Sequence, residues 1–358
     1  MPWFQSKPFD GYWGNHWTMS TMNPDDTVDG KAQIASHFYP LIGPYSSNDP
    51  KVLEYQSLLM KYTGIDGVII DWYGVQLLYD YPQLLSSSNL FIQTASKVGL
   101  TYAVMYEDRT LAPKTQSDTL LQRQFAQSDM IYLTGHYFND SNYIHIQGLP
   151  LMGVFGPTHV QNSTVWKRIF KSPIQKPFLL PIWGEIDDVG SQGNGEFAWI
   201  WNGGSSSHLT NVTNFYSSSS QFFKLGIAYP GFNDFYQQGG WGNGLGWQIQ
   251  PNNGLTLQSL LTLAKDANIS HIQQATWNDY GEGTCIEPTT QFGTNYLEII
   301  QQFTGVPFDE IHLQGIHELY TKRKAFKGDF LKQKQLDQVY YYFISLQPER
   351  ALDLLAEI

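Results

Sequence analysis

The sequence has little of several features that mark common classes of protein. One cysteine, Cys285, stands among 358 residues, which excludes an internal disulfide and a site of several thiolate ligands. The longest apolar runs, such as 67–70 and 178–182, are far shorter than the roughly 20 residues of a membrane helix. Basic residues number 21 against 32 acidic ones, and their only concentration is 322–334, which disfavours a nucleic-acid partner.

Aromatic residues are abundant, whereas charged residues are scarce. Aromatic side chains make up 15% of the chain, and charged side chains also make up 15%, against a usual charged share of about 25%. At roughly 150 residues per domain the length fits two domains, although α/β barrels commonly reach about 250 residues as one. We therefore expect a globular chain with one barrel-sized domain and a tail.

Short apolar runs alternate with stretches long enough for a helix through the first 300 residues. This alternation is typical of βα units around a parallel sheet. Seven or eight such runs are close to the eight strands of a (β/α)8 TIM barrel, which we favour over an open sheet. Helices are predicted at 50–62 and 89–98, and strands at 67–71, 101–106, 130–133, 150–155, 178–183, 197–201, 226–229 and 271–276.

The start and the end of the chain depart from this pattern. No convincing strand precedes Trp3, so we expect the first barrel strand to be truncated or very short. Stretches rich in glycine, serine and asparagine at 202–220 and 239–254 are predicted to be long loops, which are often functional. After residue 305 the composition shifts to helix formers. We predict a barrel over 1–305 and a C-terminal helical extension over 306–358 that packs on the barrel or contacts another protein.

Acidic and aromatic side chains follow several of the predicted strands. Barrel active sites are built at the carboxyl ends of strands. Aromatic faces stack on pyranose rings and carboxylates accept hydrogen bonds from hydroxyl groups, so these side chains are typical of a sugar-binding cleft. An aspartate at a strand end can instead cap the next helix, which is the structural alternative. The candidate residues are Asp71, Trp72, Tyr73, Tyr106, Glu107, Asp108, Trp183, Glu185 and Asn233.

The strongest local signal is the segment 275–288, which reads Ala-Thr-Trp-Asn-Asp-Tyr-Gly-Glu-Gly-Thr-Cys-Ile-Glu-Pro. Asp279 and Glu282 stand three residues apart at the end of a predicted buried strand. Hydrolysis of a glycosidic bond needs two carboxyl groups in different environments, one protonated and one ionised. Trp277 and Tyr280 can supply a stacking face and the desolvation that raises one pKa. The alternative interpretation is a solvated acidic turn.

The same segment resembles glycoside hydrolase families 99 and 71. Positions 278–287 match the family 99 pattern Asn-Glu-Trp-x-Glu-Gly-Thr-x-Ile-Glu, with Asp279 for the first Glu and Tyr280 for Trp. The core Asn-Asp-Tyr-Gly-Glu is similar to the α-1,3-glucanases of family 71. Three further segments, 2–4, 16–17 and 67–74, resemble the first- and second-strand regions of family 99. The resemblance covers roughly residues 2–300 and leaves the tail unassigned.

This resemblance implies an α-acting endo-glycosidase barrel without a metal or other cofactor. Carried over by position, Glu282 is the general acid/base and Asp279 the second carboxylate. Asp279 is one methylene shorter than the family 99 glutamate, and family 71 enzymes invert, so retention and inversion both stay open. The further residues expected to bind substrate are Trp3, His16, Trp17, Trp277, Asn278, Tyr280 and Glu287.

We therefore expect a glycoside hydrolase that cleaves an α-linked glycan, an α-mannan, an α-mannoside or an α-glucan. The alternative is a non-hydrolytic carbohydrate-binding or polysaccharide-biosynthesis-associated protein with the same barrel. The expected partner is an oligo- or polysaccharide. The chain opens without a basic stretch followed by an apolar one. We expect a periplasmic or secreted location, with any signal peptide absent from this chain, and keep a cytoplasmic location as the alternative.

Overall fold

The computed structural model describes residues 1–219 and 222–358 as an α/β fold. The strands are β1 Thr27–Val28, β2 Lys31–Ala32, β3 Gly67–Trp72, β4 Thr101–Tyr106, β5 His145–Ile146, β6 Leu149–Val154, β7 Phe178–Pro181, β8 Gly195–Phe197, β9 Phe223–Ala228 and β10 Ile272–Gln274. The α-helices are α1 Lys7–Asp10, α2 Asn15–Thr18, α3 Pro50–Thr63, α4 Tyr81–Val98, α5 Ala112–Thr115, α6 Thr119–His136, α7 Ser163–Ile169, α8 Ile186–Val189, α9 His208–Ser217, α10 Leu255–Asp266, α11 Asn295–Thr304, α12 Glu310–Ala325, α13 Phe330–Ile344 and α14 Pro348–Glu357.

The parallel strands follow one another in chain order. Strand β3 pairs with β4, β4 with β6, and β6 with β7, all in parallel, and β8, β9 and β10 form a second parallel set. Isolated parallel bridges, Leu179 to Gly193 and Ile182 to Phe197, link the two sets. The predicted α/β class is confirmed. Within the described residues a closed eight-strand barrel is not seen, because residues 1–6 contain no strand and β3 and β10 are not paired with each other.

The helices that cover these strands are delimited by local sequence signals. Helix α3 begins after Asp49, whose side chain accepts a hydrogen bond from the Lys51 backbone, and it has Pro50 at its first position. It ends at Gly64, which adopts a left-handed conformation with φ of 78°. Helix α4 ends in the same way at Gly99. The predictions of helices at 50–62 and 89–98 are therefore confirmed, although α4 begins eight residues earlier than expected.

Two local predictions are wrong. The run 130–133 is not a strand but part of α6, where Ala126, Met130 and Leu133 are fully buried on one helical face. A short apolar run cannot distinguish a strand from one turn of a buried helix. The predicted loop 202–220 contains the helix α9, whose N-cap Ser207 accepts a hydrogen bond from the Thr210 backbone. The end of that predicted loop, residue 220, lies outside the described residues.

The C-terminal segment forms three helices, α12 to α14, of which α12 packs on α3 and α14 packs on α12 and α13. Leu313, Ile316 and Leu319 of α12 are buried in one cluster with Leu58 and Leu59 of α3. At the edge of this cluster the guanidinium group of Arg323 donates to both carboxylate oxygens of Glu54, at 2.6 and 3.1 Å. The predicted helical content of the tail is confirmed. The domain boundary at residue 305 stays a prediction.

Across 1–219 and 222–358, no helix is both long enough and apolar enough to cross a membrane.

Candidate active site

The segment after β10 folds back on itself and presents two carboxylates at its tip. The Thr276 backbone donates to the Thr284 carbonyl at 2.9 Å, and the Ile286 backbone donates to the Thr276 carbonyl at 3.0 Å. Inside this turn the Asp279 backbone donates to the Thr276 hydroxyl oxygen, and the Glu282 backbone donates to Asp279 Oδ1 at 3.0 Å. The chain thus fixes Asp279 and Glu282 beside each other.

The two carboxyl groups have different environments. Burial raises the pKa of Asp279 to about 6, while hydrogen bonds from the Glu282 and Gly281 backbones oppose the shift. Burial, followed by the negative charge of Asp279, raises the pKa of Glu282 to about 8. Near neutral pH this order leaves Asp279 ionised and Glu282 protonated. One carboxyl group is therefore ready to act as a base and the other as an acid.

Tyr236 orients the carboxyl group of Glu282. Its hydroxyl donates to Glu282 Oε1 at 2.8 Å. The loop that carries Tyr236 is joined to the carboxylate turn by two backbone hydrogen bonds, from Asn233 to the Glu282 carbonyl and from Phe235 to the Gly281 carbonyl. The sequence prediction missed Tyr236, because this residue lies 46 positions from Glu282 in no recognisable motif.

A second group of charged side chains lies at the carboxyl ends of β3 and β4. Burial raises the pKa of Asp71 to about 7 and also raises the pKa of Glu107. Arg109 lies 2.8 Å from Glu107 Oε2, so it offsets part of the negative charge. Asp71 Oδ1 is buried and has no hydrogen-bond partner among the described residues. Because buried polar atoms are nearly always paired, this oxygen is available to a ligand. Arg109 was also missed by the sequence prediction.

These two groups meet on one cavity of about 480 Å³, which continues between β3 and β10. Six predicted site residues line it, Trp3, Asp71, Glu107, Trp277, Asp279 and Glu282. The cavity also exposes Arg109 and Tyr236. At the end of the cavity that holds the carboxylates, the mixture of aromatic and carboxylate groups suits a sugar ring.

Trp3 and His16 form a stacked pair at this cavity. Their ring centroids are 4.1 Å apart and their planes differ by 3°. Burial lowers the pKa of His16 to about 3, so the imidazole is neutral at physiological pH and can either donate or accept a hydrogen bond. Tyr73 meets the edge of Trp3, with ring centroids 6.4 Å apart.

Several predicted substrate-binding residues are instead fully buried in the protein, which corrects those predictions. Trp17 packs on Phe4 and donates to the Tyr45 carbonyl, and Trp72 packs against the ring of Tyr106. These side chains pack beneath the residues of the site and have no surface that a ligand could contact. The buried residues are Trp17, Trp72, Tyr106, Asp108, Tyr280 and Glu287, each at most 1% exposed.

The buried acids among them bind other parts of the chain. Asp108 accepts hydrogen bonds from the Thr158, His159 and Val160 backbones and so holds the 158–160 turn. This role is structural, but Asp108 holds a turn distant in the sequence and does not cap the helix that follows it, which was the structural alternative. Glu287 accepts hydrogen bonds from Gln56, Tyr45 and Tyr280 at 2.7 to 2.9 Å. The motif therefore combines two carboxylates that face the cavity with a third that holds the turn in place.

The remaining predicted residues do not line this cavity. Asn278 is buried and donates to the Tyr45 hydroxyl at 2.9 Å. Trp183 packs on Phe215, and Glu185 lies in the same loop. Asn233 lines a separate cavity of about 170 Å³ behind the carboxylate turn. The sequence could not distinguish these residues from those that line the cavity, because both groups lie at or just after the ends of strands.

In the part of the chain that the structure describes, no group of three or more His, Cys, Asp or Glu side chains is arranged to hold a metal ion.

Comparison with solved structures finds a similar fold in glycoside hydrolases. No protein-family model and no curated protein sequence matches the chain. The glycoside hydrolase family 99 endo-α-mannosidase from Bacteroides thetaiotaomicron is 18% identical, with a TM-score of 0.66 over 88% of this chain and 96% of that chain. Its complex with bis-tris-propane is 17% identical, with a TM-score of 0.64 over 90% and 96%. A glycoside hydrolase-like protein is 14% identical, with a TM-score of 0.61 over 75% and 89%. The resemblance to family 99 is thus confirmed at the level of the fold.

Proposed function

We propose that this chain is a glycoside hydrolase that cleaves an α-linked glycan through Asp279 and Glu282. One observation carries the proposal: two adjacent buried carboxyl groups with pKa values of about 6 and about 8 face one cavity. The similarity in fold to an endo-α-mannosidase supports an endo-acting enzyme and an α-mannan or α-mannoside substrate. The sequence resemblance to family 71 keeps α-glucan as the second substrate to test.

In the proposed reaction Glu282 donates its proton to the glycosidic oxygen while the bond from that oxygen to the anomeric carbon breaks. The Tyr236 hydroxyl donates a hydrogen bond to Oε1 of the same carboxyl group and so fixes its orientation. Asp279 accepts a proton, either from water that attacks the anomeric carbon or from the 2-hydroxyl of the sugar. In the first route the water oxygen bonds to the anomeric carbon as the leaving group departs. In the second route the 2-oxygen bonds to the anomeric carbon instead; water, deprotonated by the now ionised Glu282, then displaces it, and Asp279 returns the proton to the 2-oxygen. The product anomer distinguishes the two routes.

The other residues at the cavity are proposed to bind the glycan. Asp71 and Glu107 accept hydrogen bonds from sugar hydroxyls, and Trp3 and Trp277 offer aromatic surfaces. We also propose that the parallel strands belong to a (β/α)8 barrel, because seven of them follow in chain order. A periplasmic or secreted location, and a protein contact through the C-terminal helices, stay predictions.

The test is a screen of α-mannans, α-1,3-glucan and other α-glucans for release of reducing ends, run beside the Glu282→Gln variant. We expect one polymer to be hydrolysed by the native chain and not by the variant. Proton NMR of the first product then assigns retention or inversion. Binding of a polymer without hydrolysis would refute the enzymatic proposal and favour a carbohydrate-binding or biosynthetic role.

A further inference from the structure

A glycine-rich loop next to the acid Glu282 holds a half-exposed tryptophan. Trp241 is 42% exposed and lies between four glycines with positive φ, Gly240, Gly242, Gly244 and Gly246. Such backbone conformations are accessible to glycine at little steric cost. The half-exposed ring keeps an aromatic face that a ligand can cover.

The loop is held at both ends. On one side the Ser20 backbone donates to the Gly239 carbonyl and the Thr21 hydroxyl donates to the Gln238 carbonyl, both at 2.8 Å. On the other side Asp234 accepts from the Leu245 backbone at 3.0 Å. Trp241 is therefore exposed but fixed, which is the condition for a rigid stacking surface.

Trp241 is connected to the proposed acid Glu282 through Tyr236. Its ring stacks on Tyr236, with centroids 6.3 Å apart and planes 21° apart, and Tyr236 donates to Glu282 Oε1. Its ring also meets His16 nearly at right angles, with centroids 5.8 Å apart. Tyr236 lines the cavity and Trp241 does not, so the Trp241 ring lies at the edge of the cavity, beyond Glu282. The acid protonates the oxygen that departs with the leaving group, and we take this edge as the side on which the leaving-group sugar lies.

We propose that Trp241 is the stacking platform for the leaving-group sugar, that is, the residue that forms the first subsite beyond the cleaved bond. This inference rests on the proposed function, because it takes Glu282 as the acid. It assigns a substrate with at least one pyranose ring on the leaving side. An aromatic face suits a ring whose axial C–H groups lie on one side.

The test compares two leaving groups in the native chain, Trp241→Ala, Trp241→Phe and the control Trp201→Ala. Trp201 is 50% exposed on another loop, where its ring is near Trp247. We expect Trp241→Ala to lower kcat/KM at least tenfold for the oligosaccharide of the hydrolysed polymer. For the matching α-glycosyl fluoride, which has no leaving-group sugar, we expect a change of less than twofold. Trp241→Phe should recover most of the loss, and Trp201→Ala should change neither value.

An equal loss on both substrates, no loss on either, or the same loss in Trp201→Ala would overturn the assignment. If the native chain hydrolyses nothing, the proposed function fails, and calorimetric titration with α-mannotetraose and α-1,3-glucotetraose tests Trp241 separately. Binding that weakens at least tenfold in Trp241→Ala would support the platform. Unchanged binding, or no binding by the native chain, would overturn it.

Discussion

Replacing Glu282 by glutamine should abolish activity and at the same time stabilise the protein at high pH. Glu282 is buried, and burial with the neighbouring charge of Asp279 raises its pKa from the ordinary 4.5 to about 8. The folded chain therefore holds this proton more tightly than the unfolded chain does. The stability that this proton contributes is fully present below about pH 4.5 and is lost as the pH rises through about 8.

The size of the effect follows from the two pKa values. At 1.36 kcal/mol per pKa unit, the difference between 4.5 and about 8 corresponds to on the order of 5 kcal/mol of unfolding free energy. Glutamine cannot ionise, and its amide oxygen can still accept the hydrogen bond from Tyr236. The Glu282→Gln variant should thus gain in melting temperature, relative to the native chain, as the pH is raised from 5 to 9.

Two assays check this prediction on the same samples. Thermal unfolding is followed at pH 5, 7 and 9, and hydrolysis of the substrate found in the screen is measured at pH 7. We expect activity to fall at least about 100-fold, since general acid catalysis contributes roughly 10² to 10⁴. Glu357→Gln, on the exposed face of the last helix, is the matched control and should change neither value. A gain in melting temperature that does not grow with pH would refute the raised pKa, and retained activity would refute the acid role.

Three further predictions concern the pair and its supports. Plots of kcat/KM against pH should be bell-shaped, with apparent pKa values near 6 and 8, because Asp279 must be ionised and Glu282 protonated. A profile that is flat from pH 5 to 9 would contradict these roles. Glu287→Ala should lower the unfolding free energy, measured by urea denaturation, by on the order of 3 kcal/mol, because the buried donors Tyr45, Gln56 and Tyr280 lose their acceptor. An unchanged urea midpoint would show that these donors find other partners. Arg323→Ala should cost about 2 kcal/mol in the same assay, because the largely buried carboxylate of Glu54 loses its partner. The double variant with Glu54→Leu should recover part of that loss, and no recovery would argue against a paired charge.

Local signals in the sequence were sufficient for much of the fold and for the two neighbouring carboxylates that we propose to be catalytic. The strand at 101–106 and the helix near 50–62 depend on alternation, capping residues and terminal glycines that act within a few residues. Asp279 and Glu282 were found because both lie in one turn, where their spacing alone brings them together. The first strand of the predicted barrel was expected to be truncated or very short, and residues 1–6 contain no strand.

The roles of the surrounding residues depended on tertiary packing. Trp17 and Glu287 stand in segments that resemble substrate-binding motifs, yet both are enclosed by residues distant in the sequence, such as Tyr45 and Gln56. Tyr236 joins Glu282 only because two loops are paired through their backbones. Whether a side chain faces the cavity or the core is decided by which distant residues cover it. Sequence spacing determines neighbours along one element, whereas burial and the pKa shifts that follow from it arise only when the elements pack together.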